Sequence, residues 1–155
     1  MGQGLGRLGP VPETRRRQTD RLTNTVARVL LDTTVLIDAL RGRPAAERLR
    51  RLRWQEDVPF VCAVNVEEIA RGLRPHEQAA AARLLNGLVI APLGRREGEQ
   101  AGHWRRDYGT RGITLSQSDC LVAAAAAQVG ARLATGNPGD FPMPEIVVEH
   151  WPVGA

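Results

Sequence analysis

Apolar residues follow two different spacings along this chain. Short apolar runs typical of buried strands cover Val29–Leu31, Pro59–Val64, Leu88–Ala91 and the neighbourhood of Ile146–Val148. Other segments carry apolar residues every three or four positions and predict helices, at Thr34–Leu40, onward from Pro44, at Asn65–Leu73, at about His76–Leu85, at about Arg95–Tyr108 and at Ser116–Val129. The residues Arg132–Ala134 lead into a loop over Thr135–Asp140. Strands that alternate with helices predict an α/β fold, a short parallel sheet covered by helices.

The first 27 residues differ in composition from the rest of the chain. They are rich in Gly, Pro, Arg and Thr, and they show no apolar periodicity. Residues 1–28 hold six arginines against two acids, which accounts for the whole net charge of +4. We therefore expect a disordered basic arm over residues 1–27 and one folded domain over residues 28–155.

Composition excludes several classes of protein. All 21 basic residues are arginine, so a P-loop nucleotide site and a protein kinase, which both need a lysine, are ruled out. Cys62 and Cys120 match no metal-ligand spacing and are expected to be core residues. Neither an apolar stretch long enough for a membrane helix nor the apolar core of a signal peptide occurs. We expect a cytoplasmic protein without a membrane partner.

Acidic residues follow the predicted strands or begin the predicted helices. Asp32 ends the first strand, Glu67 and Glu68 lie in the helix after the second, and Asp119 begins the alanine-rich helix. Parallel sheets bind ligands at the carboxyl ends of their strands. Hydrolysis of a phosphodiester by Mg²⁺ or Mn²⁺ needs oxygen ligands, and carboxylates from separate segments supply them. The joint placement of these acids predicts one metal site, to which Asn137 or Asp140 could add a fourth oxygen donor.

Each acid also has a purely structural interpretation. Asp32 could cap the helix that begins at Thr34, and two pairs fit the capping box, Asn65 with Glu68 and Ser116 with Asp119. The segment from Asn137 to Asp140 has the composition of a tight turn. Asp38 is interpreted as a solvated helix residue.

Four segments resemble the motifs of PIN-domain toxins of the VapC type. Leu30–Asp38 looks like their opening motif, and Val64–Gly72, with Glu68 four positions before the glycine, resembles the second. Ser118–Ala124 resembles the third motif, and Leu133–Asn137 with Asp140–Phe141 resembles the fourth. The similarity spans about residues 29–150. It implies a PIN-like three-layer fold with a short parallel sheet between helices.

The resemblance also implies a function. Proteins of this family are Mg²⁺-dependent endoribonuclease toxins that cleave RNA such as tRNA or rRNA and are silenced by a small VapB-type antitoxin. By resemblance, Asp32 and Asp119 would be the principal metal ligands and Glu68 would complete the cluster. Asn137 stands where the family carries an acid, so Asp140 could substitute for it or three carboxylates could suffice. A homodimer is also implied.

Two smaller site assignments and two rival functions remain. Thr33 and Thr34, with Asn137, are candidates for hydrogen bonds to the RNA. The arginines between Arg41 and Arg53, and a second group between Arg95 and Arg111, could follow phosphates or could be solvated helix faces. A haloacid-dehalogenase-like phosphatase would need an acid where Thr34 stands. The alternative we retain is a catalytically impaired PIN-like module that binds RNA or docks an antitoxin without cleavage.

Overall fold

The computed structural model describes residues 26–154, so the predicted basic arm lies outside the described residues apart from its last two positions. The strands are β1 Arg28–Leu31, β2 Val58–Cys62, β3 Val89–Ala91, β4 Arg132–Thr135 and β5 Val148–His150. The helices are α1 Thr33–Leu40, α2 Pro44–Trp54, α3 Ala63–Gly72, α4 Gln78–Asn86, α5 Arg95–Thr110 and α6 Gln117–Gln128, with 3₁₀ turns at Pro75–Glu77 and Pro138–Asp140. No helix within residues 26–154 is long and apolar enough to cross a bilayer.

The sheet grows outward from β1 in two directions. All neighbouring strands are parallel, in the order β3-β2-β1-β4-β5. The chain adds β2 and β3 on one side of β1 and later adds β4 and β5 on the other. The direction of winding therefore reverses between β1 and β4, and the carboxyl ends of these two strands flank a crevice.

β1 lies at the centre of two apolar cores. Val29 and Leu31 pack on one face of the sheet with residues of α1 to α4, and Leu30 packs on the other face with residues of α5 and α6. All three side chains are fully buried, which explains why β1 is a continuous apolar run rather than an alternating one. The predicted parallel sheet between two helical layers is confirmed.

One strand was predicted as the approach to a loop. Residues Arg132–Thr135 form β4, which pairs with β1 on one side and β5 on the other. The final strand was predicted near Ile146–Val148 but is Val148–His150, because its register is set by pairing between Leu133 and Val148. Backbone pairing between distant segments sets the extent of β4 and β5. This pairing cannot be predicted from the hydrophobicity of either segment alone.

The end of the second strand was also predicted too late in the chain. β2 ends at Cys62, and Val64 already belongs to α3. The expected capping box from Asn65 to Glu68 is wrong, because Cys62 is the N-cap and Asn65 is the third helical residue. The amide oxygen of Asn65 accepts hydrogen bonds from the Cys62 backbone N–H and thiol, each at 3.1 Å. Helix α3 thus begins at Ala63, two residues before the predicted start at Asn65.

Asp38 is a structural residue, and its assignment as a solvated helix residue is wrong. Its side chain is buried, with 3% of the residue exposed. One carboxylate oxygen accepts the Ala45 N–H at 3.0 Å, and the other accepts the Gly154 N–H at 2.9 Å. Asp38 therefore joins α1 to the first turn of α2 and to the C-terminal segment.

The first prediction concerns this junction. Asp38→Ala leaves two buried or half-buried N–H groups without an acceptor, and each loss costs about 1–3 kcal/mol. We expect the free energy of unfolding, measured in urea, to fall by about 2–4 kcal/mol. Glu67→Ala is the control, because Glu67 is exposed and pairs only with Arg71 on the surface. Equal effects of the two substitutions would contradict the assignment.

Candidate active site

Asp32 lies directly after β1 at the point where the sheet reverses its winding. It is the N-cap of α1 and accepts the Thr33 backbone N–H at 2.9 Å, so the capping interpretation is correct for one of its oxygens. Its other oxygen accepts the Thr135 hydroxyl at 2.8 Å and the Thr34 hydroxyl at 3.4 Å. Burial raises the pKa of Asp32, the nearby charge of Glu68 adds to that rise, and the hydroxyl and amide donors oppose it.

Three threonine hydroxyls hold the acids in place. Each hydroxyl also accepts one N–H. Thr135 accepts the backbone N–H of Asn137 at 3.0 Å, and Thr34 accepts that of Gly136 at 3.1 Å. Thr33 accepts a side-chain N–H of Asn65 at 3.1 Å. A hydroxyl has a single proton, and an acceptor bond on one side leaves that proton free to point elsewhere. In all three cases it points to a carboxylate.

The acid that meets Thr33 is Glu68. The Thr33 hydroxyl donates to Glu68 Oε1 at 3.2 Å, and Asn65 lies behind Thr33 in the same chain of hydrogen bonds. Glu67 points elsewhere on α3, because it is exposed and pairs with Arg71 at 3.5 Å. The geometry thus distinguishes the two adjacent glutamates, with Glu68 directed toward the end of β1 and Glu67 toward solvent.

Asp119 lies in the first turn of α6 and faces the same crevice. Its backbone N–H donates to the Ser116 hydroxyl at 3.1 Å, so Ser116 caps α6 as predicted. Partial burial raises the pKa of Asp119, and the charges of Asp32 and Asp140 raise it further against the hydrogen bond from Ser116. The charge of Asp32 therefore acts on Asp119 at the sheet edge although the two residues lie 87 positions apart in sequence.

The fourth segment carries both Asn137 and Asp140. Asn137 precedes a 3₁₀ turn, and its backbone carbonyl accepts the Asp140 N–H at 3.1 Å. Both side chains are exposed. Asp140 is the one whose charge reaches Asp119, whereas the contact of Asn137 with the site runs through its backbone N–H to Thr135.

The donor set fits a hard divalent cation. All the candidate ligands offer oxygen atoms, and no arginine within residues 26–154 forms an ion pair with Asp32, Glu68, Asp119 or Asp140. The described residues contain no three His, Cys, Asp or Glu side chains close enough together to hold one metal ion as they stand. Burial is the main cause of the raised pKa values of Asp32 and Asp119, neighbouring acids add to it, and a cation between the acids would offset both costs.

Two residues of this network were not among the site residues predicted from the sequence. Thr135 is fully buried and donates the shortest hydrogen bond to Asp32, and Asn65 supports Thr33 from a fully buried position. Both are polar residues at the boundary of an apolar run. A polar side chain buried at a strand end needs a hydrogen-bond partner, and this requirement could have indicated both residues from the sequence.

Comparison with known proteins places this site in a family. The model of the PIN domain matches residues 29–142, from β1 to the turn that follows Asp140. The chain belongs to the PIN-domain family. The matched region of this PIN domain includes every acid described above.

The curated relatives and solved structures agree with this placement. Two proteins of Mycobacterium tuberculosis, ribonuclease VapC10 and ribonuclease VapC19, are 34% and 33% identical to it over 120 and 116 residues. These alignments cover 74% of this chain and 86% and 92% of the two relatives. Among solved structures, a chain of VapBC2 from Rickettsia felis bound to a promoter DNA fragment matches with a TM-score of 0.72 at 20% identity, covering 80% of this chain and 98% of that one. A chain of DNA-bound VapBC from Salmonella typhimurium matches with a TM-score of 0.70, also at 20% identity, covering 81% and 99%.

The second prediction concerns the electrostatic cost of this site. Because the folded state raises the pKa of Asp119, its charged form opposes folding above that pKa, and the cost disappears as the carboxyl is protonated at lower pH. In EDTA, Asp119→Asn should raise the melting temperature by about 2 °C at pH 8 and leave it unchanged at pH 4. Thermal denaturation at the two pH values measures this, with the exposed Asp107→Asn as control. A gain at pH 4 as large as that at pH 8 would refute the raised pKa of Asp119.

Proposed function

We propose that this PIN domain is a Mg²⁺-dependent endoribonuclease and the toxin of a toxin–antitoxin pair. Asp32 and Asp119 would be the principal ligands of the cation and Glu68 would complete the site, with Mn²⁺ as a possible substitute. The observation that carries the proposal is the convergence of acids from separate segments at the reversal point of the sheet, where Thr33 contacts both Asp32 and Glu68 and the charge of Asp32 acts on Asp119, without a basic partner among the described residues. The relatives named ribonuclease VapC support RNA as the substrate.

A divalent cation bound here would neutralise charge on the phosphoryl oxygens and lower the pKa of an attacking water. The chain's own contribution is orientation. Thr135 and Thr34 fix one oxygen of Asp32, the backbone of Thr33 fixes the other, and the Thr33 hydroxyl holds Glu68. The bonds to Asp32 oppose the rise in its pKa that burial causes, and together the bonds fix the orientation of both carboxylates before a cation binds.

The fourth position and the hydrogen bonds to RNA are part of the proposal. Asp140 is favoured as the additional acid because its charge reaches Asp119. Asn137 is exposed beside it and offers an amide to the RNA rather than a charge to the cation. The hydroxyls of Thr33 and Thr34 are committed to Glu68 and Asp32, so their direct contact with RNA would require these bonds to rearrange.

The proposed partners follow from the same family. The matched structures are VapBC complexes, and we propose a VapB-type antitoxin and a homodimer for this chain as well. A tRNA or rRNA substrate and a cytoplasmic location complete the proposal. Purification of the chain from its native host would test the proposed antitoxin, which should co-purify as a small partner protein.

The third prediction uses the two adjacent glutamates as a matched pair. Glu68→Gln should reduce cleavage of total RNA in Mg²⁺ on the order of 100-fold, because it removes a charge from the proposed metal site. Glu67→Gln changes the same residue type one position away, on the solvent side of α3, and should retain activity. Gel analysis of RNA with antitoxin-free protein measures both.

The outcome also separates the alternatives. Cleavage that persists in EDTA, or in both Asp32→Asn and Asp119→Asn, would refute the metal mechanism. RNA binding without any cleavage by the wild-type protein, together with no growth arrest on expression, would instead favour an impaired PIN-like module that binds RNA or an antitoxin.

The fourth prediction tests Thr135 as a positioning residue. Thr135→Val removes the hydroxyl that donates to Asp32 but keeps the shape of the side chain, and we expect kcat to fall about 10-fold with little change in KM. Thr135→Ser keeps the hydroxyl and should restore most of the loss. Titration of Mg²⁺ should show a weaker apparent affinity for the valine variant only, as second-layer hydrogen bonds tune metal ligands. Equal defects in both variants would indicate a packing effect.

A further inference from the structure

A groove of about 370 Å³ lies between helix α2 and the edge of the sheet formed by β4 and β5. Its charged and aromatic lining includes Arg48 and Arg51 from α2, Arg132 from β4, Glu149 from β5 and Trp151 just after β5. Three arginines therefore face one acid in this groove. An excess of positive charge in a concave site of this kind attracts anions.

Both carboxylate oxygens of Glu149, the single acid of the groove, already have partners. Glu149 forms an ion pair with Arg132 through one oxygen and accepts the Trp151 indole N–H at 2.9 Å through the other. Arg132 also faces Asp57 at 3.9 Å. Glu149 thus neutralises Arg132, and the positive charges of Arg48 and Arg51 on the opposite wall are left to act on a ligand.

Arg48 and Arg51 differ in how firmly they are held. The Arg48 guanidinium lies over the Trp151 ring, 5.9 Å from its centroid, and donates to the His150 carbonyl at 3.3 Å. Arg51 is 74% exposed, and its nearest acid, Glu47, is 3.9 Å away and forms its shorter contacts, at 2.8 and 3.2 Å, with Arg50. The groove therefore combines one prepositioned cation with one free to reach a ligand.

A backbone contact joins the lining of the groove to the candidate active site. The Trp151 backbone N–H donates to the Thr135 carbonyl at 2.9 Å, and the Thr135 hydroxyl donates to Asp32. A strand of RNA that leaves the acids beside β4 and β5 would then reach Arg51 and Arg48, which covers Trp151. In the second arginine group, Arg95 and Arg106 each pair with a neighbouring acid.

We propose that this groove binds the phosphodiester backbone of the RNA substrate outside the cleaved bond, with Arg51 and Arg48 contacting successive phosphates. The inference rests on the proposed ribonuclease function and adds to it a place where the substrate is held. Contacts of this kind are electrostatic and independent of sequence, and they make affinity depend on salt.

The experiment compares two neighbouring arginines in the full chain. Arg51→Gln and Arg50→Gln remove the same charge from adjacent positions of α2 with similar exposure, 74% and 70%, but only Arg51 lines the groove. Both are made in an Asp119→Asn background to prevent cleavage. Binding of a labelled single-stranded RNA is followed by fluorescence anisotropy over a series of salt concentrations.

We expect Arg51→Gln to weaken binding about threefold to tenfold and to lower the slope of log affinity against log salt by about 0.7, the value for one phosphate contact on a single strand. Arg50→Gln should leave the slope unchanged, and Arg51→Lys, which keeps the charge, should retain it. Equal losses for Arg50→Gln and Arg51→Gln, or no change in slope for Arg51→Gln, would overturn the proposal.

Cleavage by the wild-type protein is measured separately, so the two hypotheses can fail independently. A charge effect specific to Arg51 without metal-dependent cleavage would reject the nuclease and keep the groove. Metal-dependent cleavage with no role for Arg51 would keep the nuclease and reject the groove. Melting temperatures of both glutamine variants within about 2 °C of the parent exclude misfolding as the cause.

Discussion

Burial and crowding of carboxylates at one edge of the sheet form the constraint that organises this molecule. Asp32 and Asp119 both carry a raised pKa, partly from burial and partly from neighbouring acids. Keeping such groups ionised and close together opposes folding unless other contacts compensate. The compensation comes from neutral donors, three threonine hydroxyls, a backbone amide and the cap of α6, none of which would compete with a cation for its ligands.

The same hydrogen bonds that hold the acids also join the segments of the fold. Through Thr33, the start of α1 is tied to Asn65 in α3, and through Thr34 it is tied to the backbone at Gly136 after β4. Gly136 has no room for a side chain, because a Cβ there would lie 2.8 Å from Val153 and 3.3 Å from the Thr34 hydroxyl. Loss of one of these contacts would therefore disturb the packing of the C-terminal segment as well as the orientation of an acid.

The C-terminal segment links the acidic edge to the arginine side of the molecule. Trp151 is hydrogen-bonded to the backbone of Thr135 and stacked under Arg48, and Gly154 is held by the buried Asp38. The buried Trp151 thus lies between the negative charge at the crevice and the positive charge in the groove. Such an arrangement suits a polyanion that needs a cation at one phosphate and arginines at its neighbours.

Local sequence determined much of this protein. The continuous apolar run of β1, the caps at Asp32 and Ser116 and the apolar stripe of α2 are all properties of a few neighbouring residues, and the sequence indicated each of them. The preference for Glu68 over Glu67 followed from the family resemblance. Only the tertiary structure decided the strand character of Arg132–Thr135, the burial of Asp38 and the roles of Thr135 and Asn65. These features arise from contacts between segments that lie 30 to more than 100 residues apart in sequence, such as Thr135 with Asp32, and no periodicity within one segment carries that information.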